Sequence, residues 1–139
     1  MNRKRLSDYG IRVGCMPTGP LDKITDVPGV TVGHATVRDA RHHTGVTVIM
    51  PCEDNMFAKK LTAASFVLNG FGKTAGLLQL QELGTLETPI ALTNTLNVGL
   101  VHDAMVEYML SRCEAEGVAL ADDCEIYVNP TGRFVIGGP

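Results

Sequence analysis

The stretch VTVGHATVRDARHHTGVTVIMP, residues 30–51, decides the fold class. Val30 and Val32 alternate with Thr31 and Gly33, the period of two that marks a half-buried strand, so a strand is expected over Val30–Val37. DARHHTG (39–45) is a polar turn and VTVIMP (46–51) a second strand, so the pair reads as a hairpin fed by the Pro28–Gly29 turn. On the N-terminal side, residues 1–22 carry Gly10, Gly14, Pro17, Gly19 and Pro20 and read as irregular. On the other side, residues 52–60 form a charged loop, and AASFVLNG (63–70) reads as a third strand ending on Asn69-Gly70. A helix is expected next, with Thr74 as N-cap, an apolar face of Leu77, Leu78, Leu80 and Leu83, and Gly84 as its stop. IALTN (90–94) is a further strand and TLNVG (95–99) a turn. A long helix follows from Leu100 to Glu116, where Val101, Met105 and Met109 share a face with Leu100, Ala104 and Tyr108 beside them, and Gly117 ends it. A short strand is expected over Glu125–Val128. The order β-β-β-α-β-α-β means a sheet with helices packed on it, an α/β class.

The chain has 139 residues, is 45% apolar and 19% charged, and so can bury a core. Aromatics are 5% with no Trp, so packing rests on aliphatic side chains and Met. A net charge of −3, with basic clusters only at Asn2-Arg3-Lys4-Arg5 and Lys59-Lys60, argues against a nucleic-acid partner. No apolar run approaches the roughly 20 residues of a membrane span, and Leu6-Ser7-Asp8-Tyr9-Gly10 is no signal-peptide core. The expectation is a soluble cytoplasmic protein with reduced, scattered Cys15, Cys52, Cys113 and Cys124.

Two loops could carry chemistry: NGFGK (69–73) and TNTLNVG (93–99). Both follow apolar strands and both open onto helices, where strand ends and free helical N–H groups collect ligands. Asn69, Gly70, Gly72, Asn94, Thr95 and Asn97 are therefore candidate walls of one pocket, although Asn and Gly are also ordinary turn residues. NGFGK lacks the phosphate-loop spacing, and Lys73-Thr74 alone is a weak signal. His34, His42, His43 and His102 form no metal signature. His102-Asp103 at a helix start is a dyad on paper, but a first-turn Asp is favoured by the helix dipole in any case. Glu107 and Glu114 read as solvated, and Ser7, Ser65 and Ser111 lie in no nucleophile elbow. No nucleophile stands with a recognisable base, so no catalytic residue is assigned.

Taken in order, ITDVPGVTVGHATV, TGVTVIMP, FVLNGFGKTAGL and ELGTLETPIALTNTLNVGLVHDA resemble the DmpA-like family, the L-aminopeptidase/D-esterase and β-peptidyl aminopeptidases. The resemblance runs over about residues 6–118. It implies a partial α-β-β-α sandwich of the DmpA and ornithine acetyltransferase-like type, with a mixed sheet and helices on one face. It also implies a self-cleaving precursor whose new β-chain starts on a Ser or Thr that attacks the substrate carbonyl, its own α-amine acting as base. The implied substrates are N-terminal residues of small peptides, amides or esters, with no metal and no cofactor. A β-chain and homo-oligomer partners are implied as well.

The sequence also departs from that family. The nucleophile segment and the Asn-containing oxyanion segment lie downstream of the matched region, beyond the end of this chain. Where the family has a Pro-Val-Val-Gly-Glu-like block, this chain reads YVNPTGRFVIGG, and Lys73 stands where many members have Glu. The six loop residues therefore carry over only as pocket wall. The tail IYVNPTGRFVIGGP resembles the strand and glycine-rich block of S-adenosylmethionine synthetase. These readings divide the chain into 1–120, an aminopeptidase α-chain part, and 121–139, a foreign tail. The expected function is an N-terminal fragment of an aminopeptidase, inactive alone. A non-catalytic assembly fragment and an ATP- or methionine-binding tail stand as alternatives.

Overall fold

The computed structural model describes residues 4–68 and 70–119 and the backbone of 131–132. Two short 3-10 turns, Leu6–Tyr9 and Ile24–Asp26, precede β1 (Thr31–Arg38) and β2 (His43–Met50). Then come β3 (Leu61–Thr62), β4 (Thr74–Ala75), α1 (Leu77–Leu83), β5 (Thr85–Leu86), β6 (Ile90–Leu92), α2 (Val98–Ala115) and β7 (Thr131–Gly132). The main sheet has the order β1-β2-β6-β7-β4. It is mixed: β1–β2, β2–β6 and β4–β7 pair antiparallel, and β6–β7 pair parallel. A second sheet pairs β3 with β5.

The hairpin expected from residues 30–51 is present, from Thr31↔Met50 to Arg38↔His43. Its turn is braced by Asp39, whose carboxylate accepts the backbone N–H groups of Arg41 and His42, both at 2.7 Å. β2 starts three residues earlier than the valine alternation suggested, because Gly45 allows β1 to come close. A Cβ at Gly45 would stand 2.3 Å from the Ala35 carbonyl oxygen and 3.2 Å from Thr36 Cα. Both are backbone atoms of β1, which cannot rotate away. Gly45→Ala is expected to lower unfolding free energy by about 1–2 kcal/mol through overpacking. Denaturant titration checks this; a change within about 0.5 kcal/mol, the range of inert surface substitutions, would mean β1 shifts freely.

α2 covers one face of the sheet. Val98, Val101, Met105, Met109 and Cys113 recur at three to four residues and are the buried stripe of the helix. Val101 and Met105 form a core with Ala91 of β6, against which Val46, Val48 and Val106 pack. The helix ends as the sequence suggests. Gly117 has φ 65°, its N–H bonds the Glu114 carbonyl at 3.2 Å, and the Val118 N–H bonds the Cys113 carbonyl at 2.9 Å. Those two bonds satisfy carbonyls the helix leaves open, a Schellman ending.

Several expectations are corrected. Residues 63–68 are not a strand: Phe66 and Leu68 are 87% and 85% exposed, and no described strand pairs with them. Apolarity alone made that segment look strand-like, but a strand needs a neighbour for its N–H and C=O groups. Thr74 is not a helix cap. It lies in β4, bonded across to Gly132, and Gly76 in the left-handed region (φ 73°) turns the chain into α1. Leu78 and Leu83 face solvent and only Leu80 of α1 is buried. Leu100, Ala104 and Tyr108 are exposed, one position off the buried stripe of α2. β6 closes at Leu92, two residues short of the expected end. The strand expected over Glu125–Val128 lies outside the described residues.

Candidate functional site

The sheet register brings the two candidate loops to the same end. Leu92 of β6 pairs with Gly132, Gly132 with Thr74 of β4, and Leu92 with Thr47 of β2. These four residues form one row across the sheet. The chain leaves that row upward through 93–97 and enters it from above through 70–73. β6 and β4 are separated by β7 alone, about 10 Å at two strand spacings. Gly70, Gly72, Asn94, Thr95 and Asn97 therefore sit at one sheet end, as the loops of a single site would. Asn69 lies outside the described residues. The 70–73 loop leads into β4 and not directly into a helix, and it reaches the shared end because β4 runs antiparallel to β7.

Asn94 organises the second loop. Its Oδ1 accepts the N–H groups of Leu96 and Asn97 and the Nδ2 of Asn97, each at 3.1 Å. Its own Nδ2 donates to Thr44 Oγ1 at 2.8 Å. Beside it, the Thr93 hydroxyl donates to the Gly45 carbonyl at 3.3 Å. Asn97 begins α2 without a capping bond from its own side chain, so the turn is held from Asn94. Leu96 is left at the apex, 94% exposed, and Phe71 of the other loop is 87% exposed. Thr44, Gly45 and Thr93 were not singled out from the sequence. Their role depends on the β2–β6 register, which composition does not reveal.

The remaining candidates serve local structure. His42 Nδ1 meets Asp39 Oδ2 at 2.8 Å within the hairpin turn. That bond, followed by the N–H groups of Arg41 and His42, holds the Asp39 carboxyl below its ordinary range. His34 Nδ1 meets Thr47 Oγ1 across the β1–β2 pair at 2.8 Å. Ser7 and Ser111 are exposed, and Ser65 Oγ is buried without a hydrogen-bond partner. Among the described residues, no group of three or more His, Cys, Asp and Glu is placed to hold a metal ion. No helix among them is long and apolar enough to cross a membrane. At the sheet end, then, stand amides, hydroxyls, glycines, two exposed apolar side chains and Lys73, with the Asp39–His42 pair of the β1–β2 turn at the same end: groups that can shape and orient a substrate.

A mixed sheet with a helix on one face and two of its loops at one end is an arrangement that can be compared with known folds. The sequence profile of peptidase family S58 matches residues 22–129, and the chain belongs to that family. The beta-peptidyl aminopeptidase BapA of Sphingosinicella xenopeptidilytica is 37% identical over 123 residues, 82% of this chain and 30% of that protein. The crystal structure of a protein from Pyrococcus horikoshii OT3 superimposes with a TM-score of 0.83 at 38% identity, covering 94% of this chain and 38% of that one. The L-aminopeptidase D-Ala-esterase/amidase of Ochrobactrum anthropi, described as a prototype for the serine aminopeptidases and a variant of the Ntn hydrolase fold, gives 0.72 at 28% identity. It covers 94% of this chain and 37% of its own. The chain thus spans roughly a third of these relatives. A shorter match, 49% identical over 39 residues, joins 28% of this chain to 10% of the S-adenosylmethionine synthase of Nitratidesulfovibrio vulgaris (strain DSM 19637 / Miyazaki F). Both resemblances seen in the sequence are borne out.

Proposed function

We propose that this chain supplies the α-chain part of an N-terminal-nucleophile aminopeptidase, which releases N-terminal residues from small peptides, amides or esters. In this reading the attacking hydroxyl and its amine base come from a β-chain produced by autoproteolysis, and the 139 residues alone do not turn substrate over. The observation that carries it is the content of the sheet end. Two loops converge there with amides, hydroxyls, glycines, apolar side chains and Lys73, and no described serine stands with a base. The exposure of Phe66, Leu68, Phe71 and Leu96 supports a partner in the assembled enzyme, since large exposed apolar side chains often mark contact surfaces. Homo-oligomer formation belongs to the same reading. A cytoplasmic location belongs to it as well. A separate origin for residues 121–139 is part of this reading, supported by the 39-residue match to S-adenosylmethionine synthase although the family profile runs on to residue 129; no nucleotide activity is assigned to them.

The test is hydrolysis of aminoacyl-p-nitroanilides by the purified chain, alone and mixed with the nucleophile-bearing segment of a BapA relative. No turnover alone and clear turnover on mixing is the expected result. Turnover by the chain alone, abolished by substituting one of its own residues, would overturn the reading.

A further inference from the structure

We infer that Thr44 is a positioning residue of this site, acting through Asn94; the inference rests on the aminopeptidase reading above. The β2–β6 ladder has its last pair at Thr47↔Leu92. Continuing that register sets Gly45 opposite Asn94 and Thr44 opposite Thr95, where the ladder has stopped. Side chains take over the connection there. The Thr93 hydroxyl reaches the Gly45 carbonyl, and Asn94 Nδ2 reaches Thr44 Oγ1 at 2.8 Å, the shorter of the two links.

Asn94 is consequently a frame and not a ligand. Its Oδ1 already accepts three N–H groups, and a carboxamide oxygen has no room for more. One Nδ2 proton is committed to Thr44. The carboxamide plane is fixed at one end by the turn it builds and at the other by β2. Thr95 and Leu96, at the apex, inherit their position from that plane. Removing the Thr44 acceptor leaves the turn and the Thr93–Gly45 link in place but releases the Asn94 carboxamide from β2, so the turn can shift between that link and the start of α2. A wall that swings by about 1 Å is enough to lower turnover strongly, since reacting groups must be held in near-attack geometry.

Thr44→Val keeps the shape and removes the acceptor; Thr44→Ser restores it; Asn94→Asp keeps an acceptor for the turn and can accept from the Thr44 hydroxyl. In the assembled enzyme, with active sites counted by titration, Thr44→Val is expected to lower kcat/KM per site roughly tenfold. Thr44→Ser should stay within about twofold, and all variants should melt within a few degrees of the parent, as one part-buried hydrogen bond allows. If Thr44→Val melts lower and yields fewer sites, while each surviving site has parental kcat and KM, Thr44 is merely structural and the inference falls. An assembly inactive even with the parental chain removes the aminopeptidase reading itself, and the inference with it. An active parental assembly indifferent to Thr44→Val removes the inference alone.

Discussion

Met109→Ala is expected to lower the unfolding free energy of the chain by about 2–5 kcal/mol, the range for emptying a buried methionine site. Met109 is fully buried, 0% exposed, and together with Met56, Thr88, Pro89 and Cys113 it is among the largest side chains completely enclosed. It lies in the buried stripe of α2, between Met105 and Cys113. Met109→Leu, nearly volume-conserving, should cost less than about 1.5 kcal/mol. Leu100→Ala on the exposed side of the same helix should change stability by no more than about 0.5 kcal/mol. Equilibrium denaturation at one fixed protein concentration compares the three, because any self-association adds the same term to each. Similar losses for Met109→Ala and Leu100→Ala would show that the stripe is not where α2 is held.

The contrast between Met109 and Leu100 also marks how far the sequence could be read. A 3.6-residue period identifies the stripe of Val101, Met105 and Met109, and Gly117 announces the end of the helix. Period alone does not decide whether Leu100 and Tyr108 extend the stripe or flank it, since that depends on how deeply the helix sits on the sheet. The β1–β2 hairpin was legible because alternation and turn chemistry agree locally. The segment 63–68 looks strand-like by apolarity alone, yet no described strand pairs with it and Phe66 and Leu68 are exposed. Both candidate loops are visible as Asn- and Gly-rich punctuation, and one shared pocket is expected from their strand-to-helix reading. The reason they share a sheet end is different: it follows from the parallel β6–β7 pairing and the antiparallel return of β4. Thr44 was the hardest to see: its meaning lies entirely in a register set by residues fifty positions away.

Lys60→Met should produce the other large loss of stability. Glu87 is nearly enclosed, its side chain 7% exposed, at the buried entry to β6 formed by Glu87, Thr88 and Pro89. Its described cationic partner is Lys60, whose Nζ stands 2.6 Å from Oε1 and 4.8 Å from the centre of the Phe57 ring. Stranding a buried carboxylate ordinarily costs about 3–5 kcal/mol. Lys60 is 43% exposed, so water screens part of the pair and a loss of about 2 kcal/mol is the expected outcome. Methionine keeps much of the lysine stem on Phe57, which separates the charge from the packing. The decisive comparison is a double-mutant cycle. Glu87→Gln alone leaves a half-exposed ammonium that water can solvate and a carboxamide oxygen that can still accept from it, and should cost about 1 kcal/mol. In the double variant no charge is stranded, so its loss should be smaller than the sum of the two single losses by about 1 kcal/mol or more. Strict additivity would place the loss in the contact of Lys60 with Phe57, and the ion pair would then contribute nothing beyond what solvent supplies.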